Sequence, residues 1–168
     1  NGDWKAIYGG DGFWVVADPT DPNIAYGESQ GGDVNRIDLK TIKSVSIRPL
    51  QTQHEDKLRW NWNTPIVIGK ANPKNLYTGA QYLYRSQDQG RNWERISPDL
   101  TTNDKRKQEQ ENSGGLSADN TSAENHTTIF TITESPLDAN LVMVGTDDGN
   151  LQISRDGGKN WTNVSPNI

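Results

Sequence analysis

Short runs of apolar residues, separated by turn-forming residues, recur along the whole chain. In the middle of the chain such runs lie at about residues 65–68, 76–79, 83–86 and 93–97. Their β-branched and aromatic residues, bounded by Pro, Gly, Asn and Asp, are typical of strands. No useful window has helical spacing, and 16 glycines with 8 prolines leave little room for long helices. The pattern therefore predicts an all-β fold of short antiparallel strands.

The pattern of four runs occurs three times. Residues 63–93 align with residues 127–161 through three apolar runs, a Pro-containing turn and a shared polar phrase, and residues 12–41 are a weaker third copy. Four antiparallel strands in a repeat of roughly 40 residues is the arrangement of a propeller blade. We therefore expect blades over residues 9–49, 50–100 and 127–168.

A polar tract over residues 101–126 separates the last two predicted blades. It is rich in charged residues, Asn, Ser and Gly, and Leu116 is its only large aliphatic residue. One interpretation is a solvated insertion between blades. The other is a long rim loop that folds over a ligand site.

The shared phrase is SQDQGRNW at residues 86–93 and SRDGGKNW at residues 154–161. An Asp in such a turn accepts backbone N–H bonds, a Gly allows a conformation closed to side chains, and a Trp buries apolar surface. A copy in each repeat suits a structural role, whereas one active site needs no copies. We therefore predict structural roles for Ser86, Asp88, Gly90, Trp93, Ser154, Asp156, Gly158 and Trp161.

The phrase SxDxGxxW is the Asp-box signature, and the chain resembles Asp-box (bacterial neuraminidase repeat) β-propellers. Residues 59–101 and 134–168 are most similar to the sortilin-like group of secreted bacterial propellers loosely labelled glycosyl hydrolases. The resemblance implies an all-β fold, a β-propeller fragment of about three four-stranded blades, with each box in the hairpin between the third and fourth strands. It also implies a secreted or periplasmic location.

The first residues suggest that the ring is incomplete. Residues 1–8 resemble the tail of another box, with Trp4 in the place of the box tryptophan. They are predicted to be the closing strand of a preceding blade. Closed propellers have about four to eight blades, so the expected partners include the remaining blades of the same propeller or other copies of the chain.

Blade topology places the loops between blades, and those between second and third strands, on one face. In the resembling families the ligand site lies on this face, near the axis. Trp beside Asn and Arg offers a stacking surface with hydrogen bonds for a glycan or peptide; alternatively, one indole of RWNWN packs between blades and the other covers a neighbour. The ligand-binding candidates are Glu28, Gln30, Arg59, Trp60, Trp62, Gln81, Asp147 and Asp148.

A catalytic constellation is incomplete in this sequence. Xyloglucan-cleaving propellers, which the chain resembles, carry a catalytic aspartate before a Gly-Gly pair, where this chain has Ser29 and Gln30. Glu28 lies close and is the catalytic candidate, since paired carboxylates cleave glycosides, while Asp147 and Asp148 also suit a turn. The sequence therefore predicts a glycan- or peptide-binding or scaffold module, inactive alone. The alternative is a fragment of a glycoside hydrolase whose other catalytic groups lie elsewhere.

Composition excludes several other classes. The net charge is −5 and the basic residues are scattered, which argues against nucleic-acid binding. No apolar run approaches the roughly 20 residues of a membrane span. Cysteine is absent, and His54 and His126 lack partners at metal-ligand spacing. No metal and no cofactor is predicted.

Overall fold

A computed structural model describes residue 2 and residues 4–52, 56–112 and 125–168. Within these ranges the chain forms three four-stranded antiparallel sheets, each with its strands in chain order. Blade 1 contains β1 (Val15–Ala17), β2 (Ile24–Ser29), β3 (Asp33–Asp38) and β4 (Lys43–Ser46). Blade 2 contains β5 (Ile66–Ile68), β6 (Leu76–Gly79), β7 (Leu83–Ser86) and β8 (Glu94–Arg95). Blade 3 contains β9 (Ile129–Glu134), β10 (Val142–Thr146), β11 (Leu151–Ser154) and β12 (Thr162–Asn163).

This architecture confirms the all-β fold with four strands per repeat. In blade 2, β6 and β7 have the predicted bounds, whereas β8 is shorter than the run predicted at residues 93–97. Pairing nevertheless continues beyond each outer strand, because the N–H groups of Ile47, Ile96 and Val164 donate to the preceding third strands at 2.9, 2.9 and 2.8 Å. These three residues therefore occupy equivalent positions. Ser44 consequently stands in blade 1 where blades 2 and 3 have Trp93 and Trp161.

The hydrophobic core lies between neighbouring sheets. Side chains that include Tyr26, Ile47 and Ile66 pack between blades 1 and 2. A second cluster, which includes Leu83 and Ile129, packs between blades 2 and 3. Sheets packed face to face bury their apolar residues in this way, so each blade depends on its neighbour for a core.

The segment before β1 pairs with none of the three sheets. Residues 4–8 form no strand here, because β4, β8 and β12 already fill the outer position of each sheet; the closing strand of a preceding blade stays a prediction. The segment lies on blade 1, where the Tyr8 hydroxyl donates to Asp33 Oδ2 at 2.5 Å. Trp4 is 90% exposed.

Helical structure is limited to single turns in the described ranges. Short 3-10 helices form at Lys105–Gln108, Gln110–Asn112 and Ser165–Asn167. The first two lie in the polar tract, whose Leu116 is outside the described residues. No helix in the described ranges has the length and apolar character needed to cross a bilayer.

Candidate functional site

The box of blade 2 is a turn closed by its own side chains. Ser86 Oγ accepts the Gly90 N–H at 2.8 Å and donates to Asp88 Oδ1 at 2.8 Å. The Asp88 carboxylate also accepts the backbone N–H and the side-chain amide of Asn92, at 2.9 and 2.6 Å. These bonds engage both oxygens of the Asp88 carboxylate, so the carboxylate stabilises the turn.

The box of blade 3 repeats this geometry. Ser154 Oγ accepts the Gly158 N–H at 2.8 Å and donates to Asp156 at 2.9 Å. Asn160 donates to Asp156 through its backbone and its side chain, at 2.9 and 2.7 Å. The side-chain bond from Asn160 is the main cause that lowers the pKa of Asp156 to about 2. A carboxyl with this pKa is a poor proton donor near neutral pH.

Each box tryptophan reaches back to the preceding blade. The indole N–H of Trp93 donates to the Ile47 carbonyl at 2.6 Å, and that of Trp161 donates to the Ile96 carbonyl at 3.0 Å. Both indoles are only half-buried. They therefore connect consecutive blades rather than filling the interior of their own blade.

The box glycines contribute to the same contact between consecutive blades. Gly90 and Gly158 have φ angles of +79° and +100°, which L side chains rarely adopt. A Cβ atom on Gly90 would lie 2.5 Å from Ile47 Cδ1, and one on Gly158 would lie 2.8 Å from Ile96 Cβ. Glycine is thus required both by the backbone conformation and by the close approach of the neighbouring blade.

Arginines on the third strands of blades 1 and 2 reach the next box. Arg36 Nη1 donates to the Gln89 carbonyl at 3.2 Å, and Arg85 Nη1 donates to the Gly157 carbonyl at 3.3 Å. Blade 3 has Ile153 at the equivalent register position. Sequence reasoning missed this role, because the equivalence of Arg36 and Arg85 becomes visible only when the strands are paired.

The opposite face, here called the loop face, carries the candidate binding residues. It consists of the hairpins between second and third strands and the segments that link blades. Glu28 lies on it but is only 1% exposed. Its Oε1 accepts the N–H groups of Gly32 and Thr64 at 3.4 and 3.3 Å, and its Oε2 has no hydrogen-bond partner among the described residues. Burial raises the pKa of Glu28 to about 8.

The two tryptophans of RWNWN have different surroundings. Trp60 is 1% exposed and stacks on Tyr84, with ring centroids 6.3 Å apart. Trp62 is half-buried and meets Phe13 edge-on, at 6.4 Å between centroids. Trp60 is therefore an interior packing residue, and Trp62 is the indole of this pair that solvent reaches.

Arg59 and Gln81 fix the segment that links blades 1 and 2. Arg59 Nη2 forms an ion pair with Asp99 Oδ2 at 2.8 Å, and its Nε donates to the Thr127 carbonyl at 3.1 Å. Gln81 is fully buried; its Oε1 accepts the Arg59 N–H at 2.8 Å and its amide donates to the Lys57 carbonyl at 3.1 Å. Gln81 thus positions the backbone of the loop face and is closed to a ligand.

Asp147 and Asp148 are engaged with neighbouring loops. Asp147 accepts the backbone N–H and the hydroxyl of Thr128, at 2.9 and 2.6 Å. Asp148 Oδ2 accepts the backbone N–H and the hydroxyl of Thr102, both at 2.7 Å. The latter pair fastens the start of the polar tract to blade 3. Gln30 is similarly engaged, since its Oε1 accepts the Ser29 hydroxyl and the Asp11 N–H.

A cleft of about 220 Å³ opens beside Arg59. We call it the basic cleft and define it by Lys57, Arg59, Lys105, Gln108 and His126, which line it together with one carboxylate, that of Asp56. His126 Nδ1 is buried and has no hydrogen-bond partner among the described residues. Sequence reasoning missed Lys57, Lys105 and Gln108. The last two lie in the polar tract, where charged and polar residues are usually solvated. His54 lies outside the described residues.

The structure brings only some of the candidate residues together. Of the predicted binding residues, Arg59 alone lines the basic cleft, whereas Glu28, Trp60 and Gln81 are buried. In the part of the chain that the structure describes, no three His, Cys, Asp or Glu side chains are grouped in a way that could hold a metal ion.

Comparison with known proteins supports the box and the blade architecture. The sequence model of the BNR/Asp-box repeat family matches residues 152–163. No curated protein matches the chain.

Several solved structures share its fold. A GH74 xyloglucanase from Xanthomonas campestris is 21% identical, with a TM-score of 0.60, over 96% of this chain and 22% of that one. An ancestral GH74 enzyme is 16% identical, with a TM-score of 0.57, over 92% of this chain and 18% of that one. The GH74 enzyme of Niastella koreensis is 18% identical, with a TM-score of 0.51, over 92% of this chain and 22% of that one.

Fold and boxes together define the class: the chain consists of blades of an Asp-box β-propeller. It spans about a fifth of the length of the GH74 structures that it matches, 18% and 22% in the first two. At these identities the likeness concerns the fold, and the same fold supports different functions.

Proposed function

We propose that this chain is part of a propeller that binds a glycan or peptide on its loop face, at the basic cleft. The observation that carries the proposal is the pair of ammonium groups in the cleft, those of Lys57 and Lys105, beside the half-buried His126. Ammonium groups bind carboxylate, carbonyl and hydroxyl oxygens. A peptide carboxylate or an acidic sugar therefore suits the cleft.

The carboxylates of the same face support binding over hydrolysis. Asp99 is paired with Arg59, and Asp147 and Asp148 accept bonds from threonines. Glycoside hydrolysis requires two carboxyl groups on either side of the bond that is cleaved. Groups already engaged in holding loops are poorly suited to that task.

The binding proposal is tested with a double variant of the cleft lysines, Lys57→Gln with Lys105→Gln. We expect ligands selected from glycan and peptide arrays by the 168-residue chain to lose affinity for this variant. Lys40→Gln with Lys43→Gln is the matched control, because it removes the same charge from two exposed lysines that lie at the β3–β4 hairpin. The proposal fails if the control loses as much affinity, or if no ligand is retained on either array.

A glycoside hydrolase remains the second candidate, because Glu28 has a property of an acid catalyst. Its raised pKa, about 8, keeps a proton available near neutral pH. Its 1% exposure, however, keeps substrate away in this arrangement of loops. Hydrolysis of a polysaccharide by a protein containing these blades, lost in Glu28→Gln with binding retained, would favour the enzyme.

We further propose that other blades, from the same propeller or from other copies of the chain, pack on blade 3. Val164 is equivalent to Ile47 and Ile96, which each receive a box tryptophan. The Asp box of a further blade, packed against Val164, would repeat the contact that Trp93 makes with Ile47 and Trp161 with Ile96. Sedimentation of the chain across a range of concentrations would detect assembly of copies.

A secreted or periplasmic location, and membership of the bacterial sortilin-like group, are also part of the proposal and rest on the sequence resemblance.

A further inference from the structure

Blade 3 carries a cavity of about 230 Å³ on the face turned away from blade 2, here called its outgoing face. We call this cavity the blade 3 pocket and define it by Ile153, Arg155, Asp156, Asn160, Thr162 and Val164. None of these residues lines the basic cleft. The pocket is therefore a separate surface of the chain.

The register of the sheets relates this pocket to a contact between blades 2 and 3. The blade 2 equivalents of Ile153, Thr162 and Val164 are, in the same order, Arg85, Glu94 and Ile96. These three line a cavity together with Gly157, Gly158 and Lys159, which belong to the box of blade 3. The surface that receives an Asp-box hairpin on blade 2 is thus repeated on blade 3.

The equivalent positions are buried where a box covers them. Ile47 and Ile96 are 6% and 7% exposed, whereas Val164 is only half-buried. Met143 is also half-buried, while Tyr77, at the same register position of blade 2, is fully buried. Exposed apolar patches mark interaction surfaces, and this one lies where blades 1 and 2 contact the next blade.

The outgoing face of blade 3 is more apolar than that of blade 2. On blade 2 the Asn75 amide and the Tyr77 hydroxyl donate to Glu134, at the end of the first strand of blade 3. The register equivalents of these two donors on blade 3 are Leu141 and Met143. A carboxylate buried there would lose both bonds, so the next blade needs an apolar residue at the position of Glu134.

Blade 1 of a second copy is a poor partner for the pocket. Its β3–β4 hairpin has Ser44 at the position of Trp93, so it has no indole to donate to the Val164 carbonyl. Tyr8 also lies on the face of blade 1 that would have to pack there, since a Cβ atom on Gly27 would be 3.2 Å from Tyr8 Cδ1. A second copy would have to displace this segment.

We propose that the blade 3 pocket binds the Asp-box hairpin of a further blade of the same propeller. That blade carries the box glycine and tryptophan, and an apolar residue at the end of its first strand. The proposal rests on the packing of further blades on blade 3 that is proposed above, and it selects a box-bearing blade over a second copy of the chain.

The test appends one blade to the 168-residue chain. Residues 52–100, a repeated blade 2, have an intact box and Ile68 at the end of the first strand. Residues 2–50, a repeated blade 1 of equal length, are the matched control. We expect the first fusion to raise the midpoint of guanidinium unfolding by about 0.5 M, and the second to leave it unchanged.

Two changes in the appended blade 2 test its box and its first strand separately. Trp93→Ser gives that blade the residue that blade 1 has, and we expect the rise in midpoint to be lost. Ile68→Glu places a carboxylate against Leu141 and Met143, and we expect the rise to fall by at least half. Ile68→Leu is the control for this position and should keep the rise.

The outcomes separate this proposal from the one on which it rests. Equal rises in the two fusions would overturn the selection of a box and leave the packing of further blades standing. If neither fusion raises the midpoint, both proposals fail, whereas ligand binding at the basic cleft is unaffected. Concentration-dependent sedimentation of the original chain that disappears in Val164→Asp would show that a second copy binds the pocket, and would also overturn the proposal.

Discussion

The indole N–H of Trp93, in blade 2, donates to the main-chain carbonyl of Ile47, in blade 1, at 2.6 Å. Gly90 of the same box approaches Ile47 so closely that a Cβ atom would lie 2.5 Å from its Cδ1. Trp161 and Gly158 repeat both contacts with Ile96. The Asp box therefore joins its blade to the preceding one, and its residues determine how stable that junction is.

Replacing the indole tests the hydrogen bond of the junction. Trp93→Phe keeps an aromatic ring but leaves the Ile47 carbonyl without its donor, so we expect the free energy of unfolding to fall by about 1 kcal/mol. Guanidinium denaturation measures the change. Trp4→Phe is the control, because Trp4 is 90% exposed, and an equal loss there would contradict the role of the junction.

Two glycines with similar φ angles separate backbone strain from packing. Gly158 and Gly149 have φ angles of +100° and +93°, but a Cβ atom at Gly149 would meet nothing within 4 Å. We expect Gly149→Ala to lower the free energy of unfolding by about 1–2 kcal/mol through strain alone. Gly158→Ala adds a clash with Ile96, which contributes roughly a further 1–3 kcal/mol. Equal effects in the two variants would show that the close approach to Ile96 is unimportant.

Glu134 holds blades 2 and 3 together on the face of the boxes. Its Oε1 accepts the N–H groups of Ala71 and Asn72, both at 2.9 Å, and its Oε2 accepts the Asn75 amide at 2.7 Å and the Tyr77 hydroxyl at 2.8 Å. Glu134→Gln replaces one acceptor with a donor. We expect a loss of at least about 2 kcal/mol, because buried donors are left without acceptors.

Tyr77→Phe is the matched variant for this cluster. It removes one of the four donors and leaves the carboxylate of Glu134 with three, so we expect a smaller loss than in Glu134→Gln. Urea denaturation of both variants gives the comparison. A larger loss in Tyr77→Phe would show that the ring's packing, and not the carboxylate, dominates this contact.

The raised pKa of Glu28 predicts a pH dependence of stability. Burial raises the pKa from 4.5 to about 8, so between these values the folded chain holds a proton that the unfolded chain has lost. The stability that this group contributes is complete below pH 4.5 and is lost as the pH rises towards 8. For one proton the slope is at most about 1.4 kcal/mol per pH unit.

Glu28→Gln removes this titration while keeping the side chain's shape. Denaturation of both proteins between acid and mildly alkaline pH should show the difference in their free energies of unfolding shifting in favour of the variant as pH rises. Other titrating groups cancel in that difference. A difference that stays constant with pH would contradict the raised pKa.

The repeats made the fold predictable from the chain. Strands β6 and β7 match their predicted bounds, because short alternating runs between Gly, Pro and Asn are local signals. The closing strand at Trp4 stays a prediction: its residues match the tail of a box, but a strand forms only beside a pairing partner, and the three described sheets offer it none. Pairing is a property of the assembled sheet, and a single segment of sequence does not contain it.

By itself, the sequence determined the number of strands per repeat and the positions of both boxes, since these depend on neighbouring residues. Only the tertiary structure decided that Glu28, Trp60 and Gln81 are buried and that Arg59 borders a cleft with Lys105. Burial and charge of this kind arise where blades meet, from residues far apart in the chain.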